Sequence, residues 1–228
     1  MRKIVTLILF ASYLLTSCGT TKGVLKSERY TNMYDEKPIS ILIMPPINRS
    51  VNVEAKELFY SSLIVPLSQK GYYVFPPLLT MDVLKEESAY DAEMFLNNSM
   101  KHIGILFDVD AVLFTTIHEW TKTTVVAQIR IVIEYTLKSA KTDEILFNST
   151  GDIIYSPKAN SNTGSLLGDL VANALSNMLT TAMTEEIEIG RKCNDYTLGD
   201  IPAGKYSPSW GMDGNTSAKK ASFKVRLK

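Results

Sequence analysis

The sequence contains few of the residues on which disulfide scaffolds and metal sites are built. Among 228 residues there are two cysteines and two histidines, and 24 Lys and Arg balance 24 Asp and Glu. These numbers exclude a disulfide-rich miniprotein and a Cys/His zinc scaffold. A chain with no net charge is not a polycation that coats nucleic acid, so no nucleic-acid partner is expected. With 45% apolar residues, the composition is that of a globular protein.

Motifs of common enzyme classes are also missing, since there is no GxSxG, no HExxH and no GxGxxG. We therefore expect no catalytic residues, no metal and no cofactor. Asp108-Val109-Asp110 resembles a short carboxylate metal motif, but Asp between a helix and a strand commonly serves turns and caps. His102 and His118 have no Cys or His at ligand spacing, which favours structural roles for both.

The amino terminus has the plan of an export signal. Arg2 and Lys3 precede an apolar run of twelve residues, Ile4 to Leu15. Spanning a bilayer takes about 20 apolar residues, so this run indicates a signal peptide and not a membrane helix.

The end of this run, Leu15-Thr16-Ser17-Cys18, resembles the bacterial lipobox. The resemblance implies cleavage between Ser17 and Cys18, with diacylglycerol on the Cys18 thiol and an acyl chain on its new amino group. Two or three acyl chains anchor a protein stably where one is marginal. The alternative is an ordinary secretory signal followed by a coincidental cysteine.

Two consequences follow if Cys18 is acylated. Cys193 then has no partner, so the mature chain forms no intramolecular disulfide. Gly19 follows the lipidated residue, where Asp tends to retain bacterial lipoproteins in the inner membrane. Glycine is compatible with delivery to the outer membrane, so we expect an envelope lipoprotein at the periplasmic face of the outer membrane.

Four segments are predicted along the chain. They are a signal peptide (1–17), a membrane tether (18–37), an α/β domain (38–190) and an irregular carboxyl-terminal segment (191–228). The last segment has eight basic and three acidic residues and a basic end. The domain shows the order βαβαα, then βββ, then α, which indicates one α/β domain with a mixed β-sheet flanked by helices.

The predicted elements follow from apolar periodicity and turn residues. Strands are expected at 39–44 and 72–75, and a helix over 52–70 that Pro66 kinks or ends. Thr80 is expected to cap a short helix that ends near Ser88, and 91–107 to form two helical pieces. Three runs rich in Val, Ile, Thr and Tyr predict an antiparallel meander, at 111–120, 124–137 and 144–155. A final long helix is expected to end at Gly190.

The outer face of this final helix carries small polar residues where a solvated helix usually has Lys and Glu. Such residues, with glycines spaced four apart, permit close approach of another surface. A partner or self-association surface is therefore predicted at Gly164, Gly168, Asn173, Ser176 and Asn177. The alternative is a helix that lies across the sheet with a weakly polar outer side.

Five segments, in this order, resemble a family of bacterial lipoproteins of unknown function. They are Ser40–Ser50 (SILIMPPINRS), Gly71–Pro76 (GYYVFP), Asp108–Leu113 (DVDAVL), Ser165–Gly168 (SLLG) and Pro202–Gly211 (PAGKYSPSWG). The matches extend over about residues 40–213. One departure is Asp108 after Phe107, where the family usually has Gly, and this substitution alters a turn.

The resemblance implies a fold similar to the amino-terminal domain of the periplasmic Tol-system propeller protein. Genes of the family often lie beside that of a lipoprotein that resembles the curli secretion channel, so the resemblance implies such a lipoprotein as a partner. The expected function is a non-enzymatic, lipid-anchored accessory role in an envelope transport or secretion assembly, through contacts with other lipoproteins or with copies of itself.

Two alternatives remain open. One is a periplasmic module that binds a small ligand at the carboxyl ends of the parallel strands, near Pro45–Ser50 and Pro76–Thr80. The other is an unrecognised hydrolase.

Overall fold

A mixed sheet of seven strands organises the chain in this computed structural model, which describes residues 23–87, 89–123, 128–155 and 187–227. The strands are β1 (Ser40–Ile43), β2 (Ile47–Asn48), β3 (Tyr73–Val74), β4 (Ala111–Thr123), β5 (Gln128–Ser139), β6 (Ile145–Tyr155) and β7 (Ser222–Leu227). Their order is β3-β1-β4-β5-β6-β7, and β2 pairs with β4 further along that strand.

The strand directions confirm a mixed sheet. β3, β1 and β2 all run parallel to β4, because β1 pairs in parallel with both β3 and β4 and β2 pairs in parallel with β4. β4, β5 and β6 form the predicted antiparallel meander. β7 then adds to β6 in parallel.

Helices cover both faces of the parallel part of the sheet. They are α1 (Lys26–Arg29), α2 (Thr31–Glu36), α3 (Ala55–Ser62), α4 (Ile64–Gln69), α5 (Pro77–Glu86), α6 (Ala92–Leu96) and α7 (Lys101–Phe107). The described part of α8 covers 187–198. The predicted fold class, one α/β domain with a mixed sheet flanked by helices, is therefore confirmed.

The core has two parts because β1 is buried on both faces. Ile41 and Ile43 point into one apolar cluster with α3, α4 and α8, while Leu42 and Met44 point into a second cluster with α5, α6 and α7. A strand covered on both faces needs a continuous apolar run, which is what the sequence has there. In β5 only one face is buried, and its sequence alternates accordingly.

The long helix predicted over 52–70 is divided by its proline. α3 ends at Ser62 and α4 begins at Ile64, which makes Pro66 the third residue of α4. At that position a backbone N–H has no acceptor inside the helix, so proline costs nothing there. The predicted cap at Thr80 is wrong, since α5 begins at Pro77 and the Thr80 hydroxyl donates to the Pro76 carbonyl inside the first turn.

The prediction that 18–37 is a tether is wrong for its second half. α1 and α2 pack on the sheet, and the side chains of Tyr30 and Met33 belong to the main core cluster. Charged neighbours such as Glu28 and Arg29 hide this short apolar stripe in the sequence. The chain available as a tether therefore ends close to Gly23.

The prediction that 191–228 is irregular is wrong at both ends of that segment, where α8 and β7 lie, while 199–221 between them forms loops and turns with one short 3-10 helix, Asp213–Asn215. α8 continues past Gly190 to residue 198 and buries Cys193 and Leu198. Gly190 does not end the helix but lies inside α8 and faces Ser62 and Leu58 of α3, where an added Cβ would make ordinary van der Waals contact.

The basic end of the chain is part of the sheet edge and is not a separate tail. In β7 the apolar side chains of Phe223, Val225 and Leu227 pack against the core, while the residues between them face outward. Lys224 forms an ion pair with Asp152 of β6 at 3.1 Å. Lys219 lies 4.0 Å from the centre of the Tyr196 ring.

The two helical pieces predicted in 91–107 are confirmed as α6 and α7, and Asp91 caps α6 by accepting the Glu93 N–H at 3.1 Å. At the end of α7, Asp108 adopts left-handed backbone angles, with φ 48° and ψ 48°. Asp tolerates this conformation better than most residues, but glycine adopts it without steric cost.

We therefore expect Asp108→Gly to stabilise the protein. Removing the left-handed strain should raise the free energy of unfolding by about 0.5–1 kcal/mol, after the extra backbone freedom of glycine in the unfolded chain is subtracted. Urea denaturation measures this change. Asp108→Ala is the matched control, because it keeps the Cβ and should not stabilise. Equal midpoints for the two variants would contradict this explanation.

Candidate functional site

The parallel strands give the domain two chemically different ends. Their amino ends lie where α2 leads into β1 and where Gly71 leads into β3, and their carboxyl ends lie before β2 and before α5. We call the first the amino end and the second the carboxyl end. Each carries a group of exposed side chains, and the two groups differ in composition.

The beginning of the described chain meets the loop that follows α8 at the amino end. Leu25 forms a β-bridge with Ser217, and the Ala218 N–H donates to the Val24 carbonyl at 2.8 Å. The Lys26 N–H donates to the Thr216 carbonyl at 3.0 Å. The segment that follows Cys18 therefore enters the domain beside the loop 199–217.

Two aspartates fasten α1 and α2 to this loop. Asp213 accepts the Tyr34 hydroxyl at 2.9 Å, the Ala203 N–H at 3.0 Å and the Lys26 ammonium at 3.4 Å. Asp200 accepts the Tyr30 hydroxyl at 2.5 Å and the Lys219 N–H at 2.8 Å.

The tyrosines in this network act as hydrogen-bond donors. Burial, followed by the hydrogen bonds to the carboxylates, raises the pKa values of Tyr30 and Tyr34 well above the ordinary range. Both hydroxyls therefore stay protonated at neutral pH and hold the structure together, and neither can serve as a general base.

Two cavities flank Asp213. The first holds about 220 Å³ and has a mainly apolar wall that includes Tyr34, Tyr72 and Trp210. The second holds about 420 Å³, and its wall includes Lys26 and Lys70. The Lys70 ammonium donates to the Gly199 carbonyl at 2.6 Å, and its burial lowers its pKa. Lys26, Lys70 and Asp213, which line the second cavity, thus already have partners within the protein.

At the carboxyl end, Tyr60 fills the crevice where a ligand pocket was predicted. Its buried hydroxyl donates to the Pro77 carbonyl at 2.9 Å and lies 3.4 Å from the Ile43 carbonyl. The nearby polar side chains bond to one another, since the Ser50 hydroxyl donates to the Asn48 side chain at 2.7 Å. The region between Pro45–Ser50 and Pro76–Thr80 therefore offers no converging polar groups to a small ligand.

Aliphatic side chains surround this closed end. We define the carboxyl-end surface as Val51, Val53, Leu78, Leu79 and Met94, all of which are exposed. Val51 and Val53 are 93% and 85% exposed, in the loop after β2. An ion pair of 2.7 Å between Arg49 and Glu93 joins this loop to α6. Exposed aliphatic groups on a loop that an ion pair holds in place suit contact with another protein.

Several titratable groups of the described chain have structural roles. Burial raises the pKa of the Cys193 thiol, which is fully enclosed and cannot act as a nucleophile. The Asp110 carboxylate accepts the backbone N–H groups of Ile39 and Ser40 and the Lys141 ammonium. Although burial alone would raise it, these bonds hold the pKa of Asp110 below its ordinary value. The turn-and-cap interpretation of Asp108 and Asp110 is thus confirmed.

His118 and His102 are not brought together. His118 lies on β4 with its Nε2 atom 3.0 Å from Glu134, and His102 lies on α7. Within the described ranges, no group of three or more His, Cys, Asp or Glu side chains could hold a metal ion.

The residues that the sequence nominated for function lie outside the described residues. These are Ser17 and Cys18 at the predicted signal cleavage point, and Gly164, Gly168, Asn173, Ser176 and Asn177 on the predicted last helix. Their roles stay predictions. Across the described parts of the chain, no helix has the length and apolar character that crossing a membrane requires.

Sequence reasoning missed both groups of side chains that the structure places at the ends of the domain. Val51 and Val53 are apolar residues in an otherwise polar loop. Their position among polar residues is a signal of exposure, but an analysis of periodicity does not detect it. Asp200 and Asp213 lie in segments without periodicity, and their partners Tyr30 and Tyr34 precede them by more than 160 residues. No local pattern relates such distant residues.

The comparisons with known proteins agree on one family. The family model described as "Putative lipoprotein GNA1162-like" matches residues 28–203. "Putative lipoprotein NMB1124/NMB1162" of Neisseria meningitidis serogroup B (strain ATCC BAA-335 / MC58) is 31% identical over 164 residues, which is 68% of this chain and 72% of that protein.

Two solved structures are also similar. The crystal structure of lipoprotein GNA1162 from Neisseria meningitidis is 26% identical, with a TM-score of 0.48, and the match covers 63% of this chain and 99% of that one. The LpoB C-terminal domain from Salmonella enterica is 16% identical, with a TM-score of 0.36, and the match covers 64% and 92%.

The amino-end network should depend strongly on Asp213. Asp213→Ala leaves the nearly buried Lys26 ammonium without its carboxylate, and we expect the free energy of unfolding to fall by about 3 kcal/mol. Tyr34→Phe removes one neutral donor and should cost about 1 kcal/mol. Arg49→Ala is the control at an exposed ion pair and should cost less than about 0.5 kcal/mol. In urea denaturation, an Asp213→Ala variant as stable as the control would refute this role.

Proposed function

Since the chain belongs to the GNA1162-like family of lipoproteins, we propose that it is anchored by lipid at Cys18 to the periplasmic face of the outer membrane. The lipobox at Leu15–Cys18 and its distance from the charged start support the anchor. Gly19 supports the outer membrane over the inner one. Residues 1–17 then act as the signal peptide, and diacylglycerol and N-acyl chains are the only attached groups.

The role of the domain is non-enzymatic: it is an accessory subunit of an envelope transport or secretion assembly that acts through protein contacts. One observation carries this proposal. The exposed aliphatic side chains of the carboxyl-end surface lie at the opposite end of the parallel strands from the point where the tether enters. An anchored domain with this arrangement presents Val51, Val53 and Leu78 away from its attachment point, where a partner can reach them.

The partner is another envelope lipoprotein, for which the family resemblance suggests a curli-channel-like protein, or a second copy of this chain. Anchoring both partners to one membrane raises their local concentration, so that a small contact surface is sufficient. The predicted helix with Gly164 and Gly168 is a second candidate surface for the same purpose. The ligand-binding alternative lacks the crevice on which it depended, because Tyr60 fills it.

The lipid anchor can be tested by labelling. Cells that express Cys18→Ala and are fed labelled palmitate should accumulate uncleaved precursor without label, since the acylated residue is absent. Cys193→Ala is the matched control, because it removes the other cysteine and should leave processing and label unchanged. Normal cleavage and labelling of Cys18→Ala would show that the lipobox interpretation is wrong.

The carboxyl-end surface can be tested by photo-crosslinking in intact cells. A crosslinking residue at Val53 or Leu78 should capture an envelope protein or a second copy of the chain. The same residue at Ile105, which is 83% exposed on α7, should capture much less.

The variant Val53→Ser/Leu78→Ser should weaken binding of the captured partner about tenfold or more, since each interface side chain contributes on the order of 1 kcal/mol. Its stability should change little, because both positions are exposed. Equal capture from Ile105 and from Val53 would argue against the carboxyl-end surface.

A further inference from the structure

We propose that the loop 205–212 at the amino end is a membrane-contact surface, which rests against the phospholipid headgroups of the bilayer that holds Cys18. The proposal rests on the proposed function through the lipid anchor. It adds an orientation, in which the amino end of the domain faces the bilayer and the carboxyl-end surface faces away.

The first argument is the length of the tether. Leu25 is fixed to the domain by its bridge to Ser217, and it lies seven residues after Cys18 in the sequence. Even fully extended, seven residues reach about 25 Å. A domain of about 200 residues has a radius of gyration of about 16 Å, so its diameter exceeds this reach. The amino end of the domain is therefore held close to the membrane surface.

The second argument is the chemistry of the loop. Tyr206, Trp210 and Met212 are all exposed, and Lys205 adds a positive charge. The sequence from Ile201 to Met212 contains no Asp or Glu. Tyr and Trp are enriched at the level of lipid headgroups because one part of the ring system is apolar and another is polar. Lysine is attracted to anionic phospholipids.

The loop is close to the attachment point. Asp213, the residue after Met212, accepts the ammonium of Lys26, and Lys26 follows Leu25 directly. The exposed side chains of Trp210 and Met212 are thus separated by a few residues from the position where the tether enters. When the lipid holds that position at the surface, these side chains are within reach of the headgroups.

The loop is also ordered before any contact is made. Turns within it are closed by the Ser207 N–H to the Gly204 carbonyl at 2.9 Å and the Trp210 N–H to the Ser207 carbonyl at 3.1 Å. Its base docks on Gly71, where a Cβ would lie 2.3 Å from the Ser207 nitrogen, so only glycine fits. Membrane contact then costs little conformational entropy.

The composition of the loop separates it from the carboxyl-end surface. The exposed groups there are the aliphatic side chains of Val, Leu and Met, and they include no aromatic ring. The loop 205–212 instead combines two aromatic rings with a lysine. The first composition suits a protein interface and the second suits a headgroup layer. A lipid bilayer is therefore the favoured occupant of the loop, and a second copy of the chain is an outcome of the test.

The test supplies the anchor chemically. The unacylated chain from Cys18 onward is coupled through the Cys18 thiol to a maleimide lipid in vesicles of phosphatidylethanolamine and phosphatidylglycerol. Cys193 is fully buried and does not compete for the maleimide. Lipids brominated near the headgroup quench any tryptophan that touches the bilayer. The chain has two tryptophans, of which Trp210 is 45% exposed and Trp120 is 2% exposed.

We expect quenching and a shift of emission to shorter wavelength in the coupled native chain, and neither in Trp210→Phe, which reports Trp120 alone. Tyr206→Ser/Met212→Ser should reduce quenching, whereas Val51→Ser/Val53→Ser, at the carboxyl end, should not. An insertion of Gly and Ser residues that makes the stretch from Cys18 to Gly23 about five times longer should lower the effective concentration about tenfold and weaken quenching.

Unquenched Trp210 in the coupled native chain would overturn the proposal. Quenching that appears only at high protein density on the vesicle would also overturn it, in favour of contact between copies of the chain. Because the maleimide lipid replaces the natural anchor, the result does not depend on acylation in cells. Failure of palmitate labelling therefore overturns the anchor, and failure of quenching overturns the membrane contact.

Discussion

The hydrogen bonds and ion pair of Asp213 are the constraint on which the amino end depends. This carboxylate joins α1 and α2 to the loop after α8, which lies far from them in the sequence. A carboxylate that is nearly buried is costly unless several donors compensate it, and Asp213 has three of them. The same contacts position the tether and the loop 205–212 beside each other. Orientation at a membrane thus follows from an interaction inside the protein.

The centre of the domain depends on a different constraint, the burial of β1 on both faces. Helices cover both faces of this strand. In many α/β proteins a crevice at the carboxyl ends of the parallel strands remains open and binds a ligand. Here Tyr60 closes it by donating to the carbonyl of Pro77. The ring replaces a pocket with a filled surface, and exposed aliphatic residues such as Val51 remain around it. The geometry thereby favours a protein contact over a small ligand.

The sequence was sufficient for features that depend on local periodicity. The continuous run of β1, the alternation in β5, the two pieces α6 and α7 and the helix break just before Pro66 each have a short-range physical cause. It was insufficient where a residue serves a distant partner. Gly190 looked like a helix end but lies inside α8, and Tyr30 looked like part of a tether but bonds to Asp200. The surfaces at both ends were missed because isolated exposed residues have no period.

A short tether has a mechanical consequence for any partner of this protein. A domain on a long flexible linker samples many orientations, and it loses this orientational entropy when a specific contact forms. When the entry point of the chain and an aromatic loop are both held at the headgroups, rotation about axes in the membrane plane is restricted. The carboxyl-end surface is then directed away from the bilayer at a nearly fixed height. A partner anchored in the same membrane meets it with less loss of rotational freedom, so a few exposed side chains such as Val53 and Leu78 are sufficient for recognition.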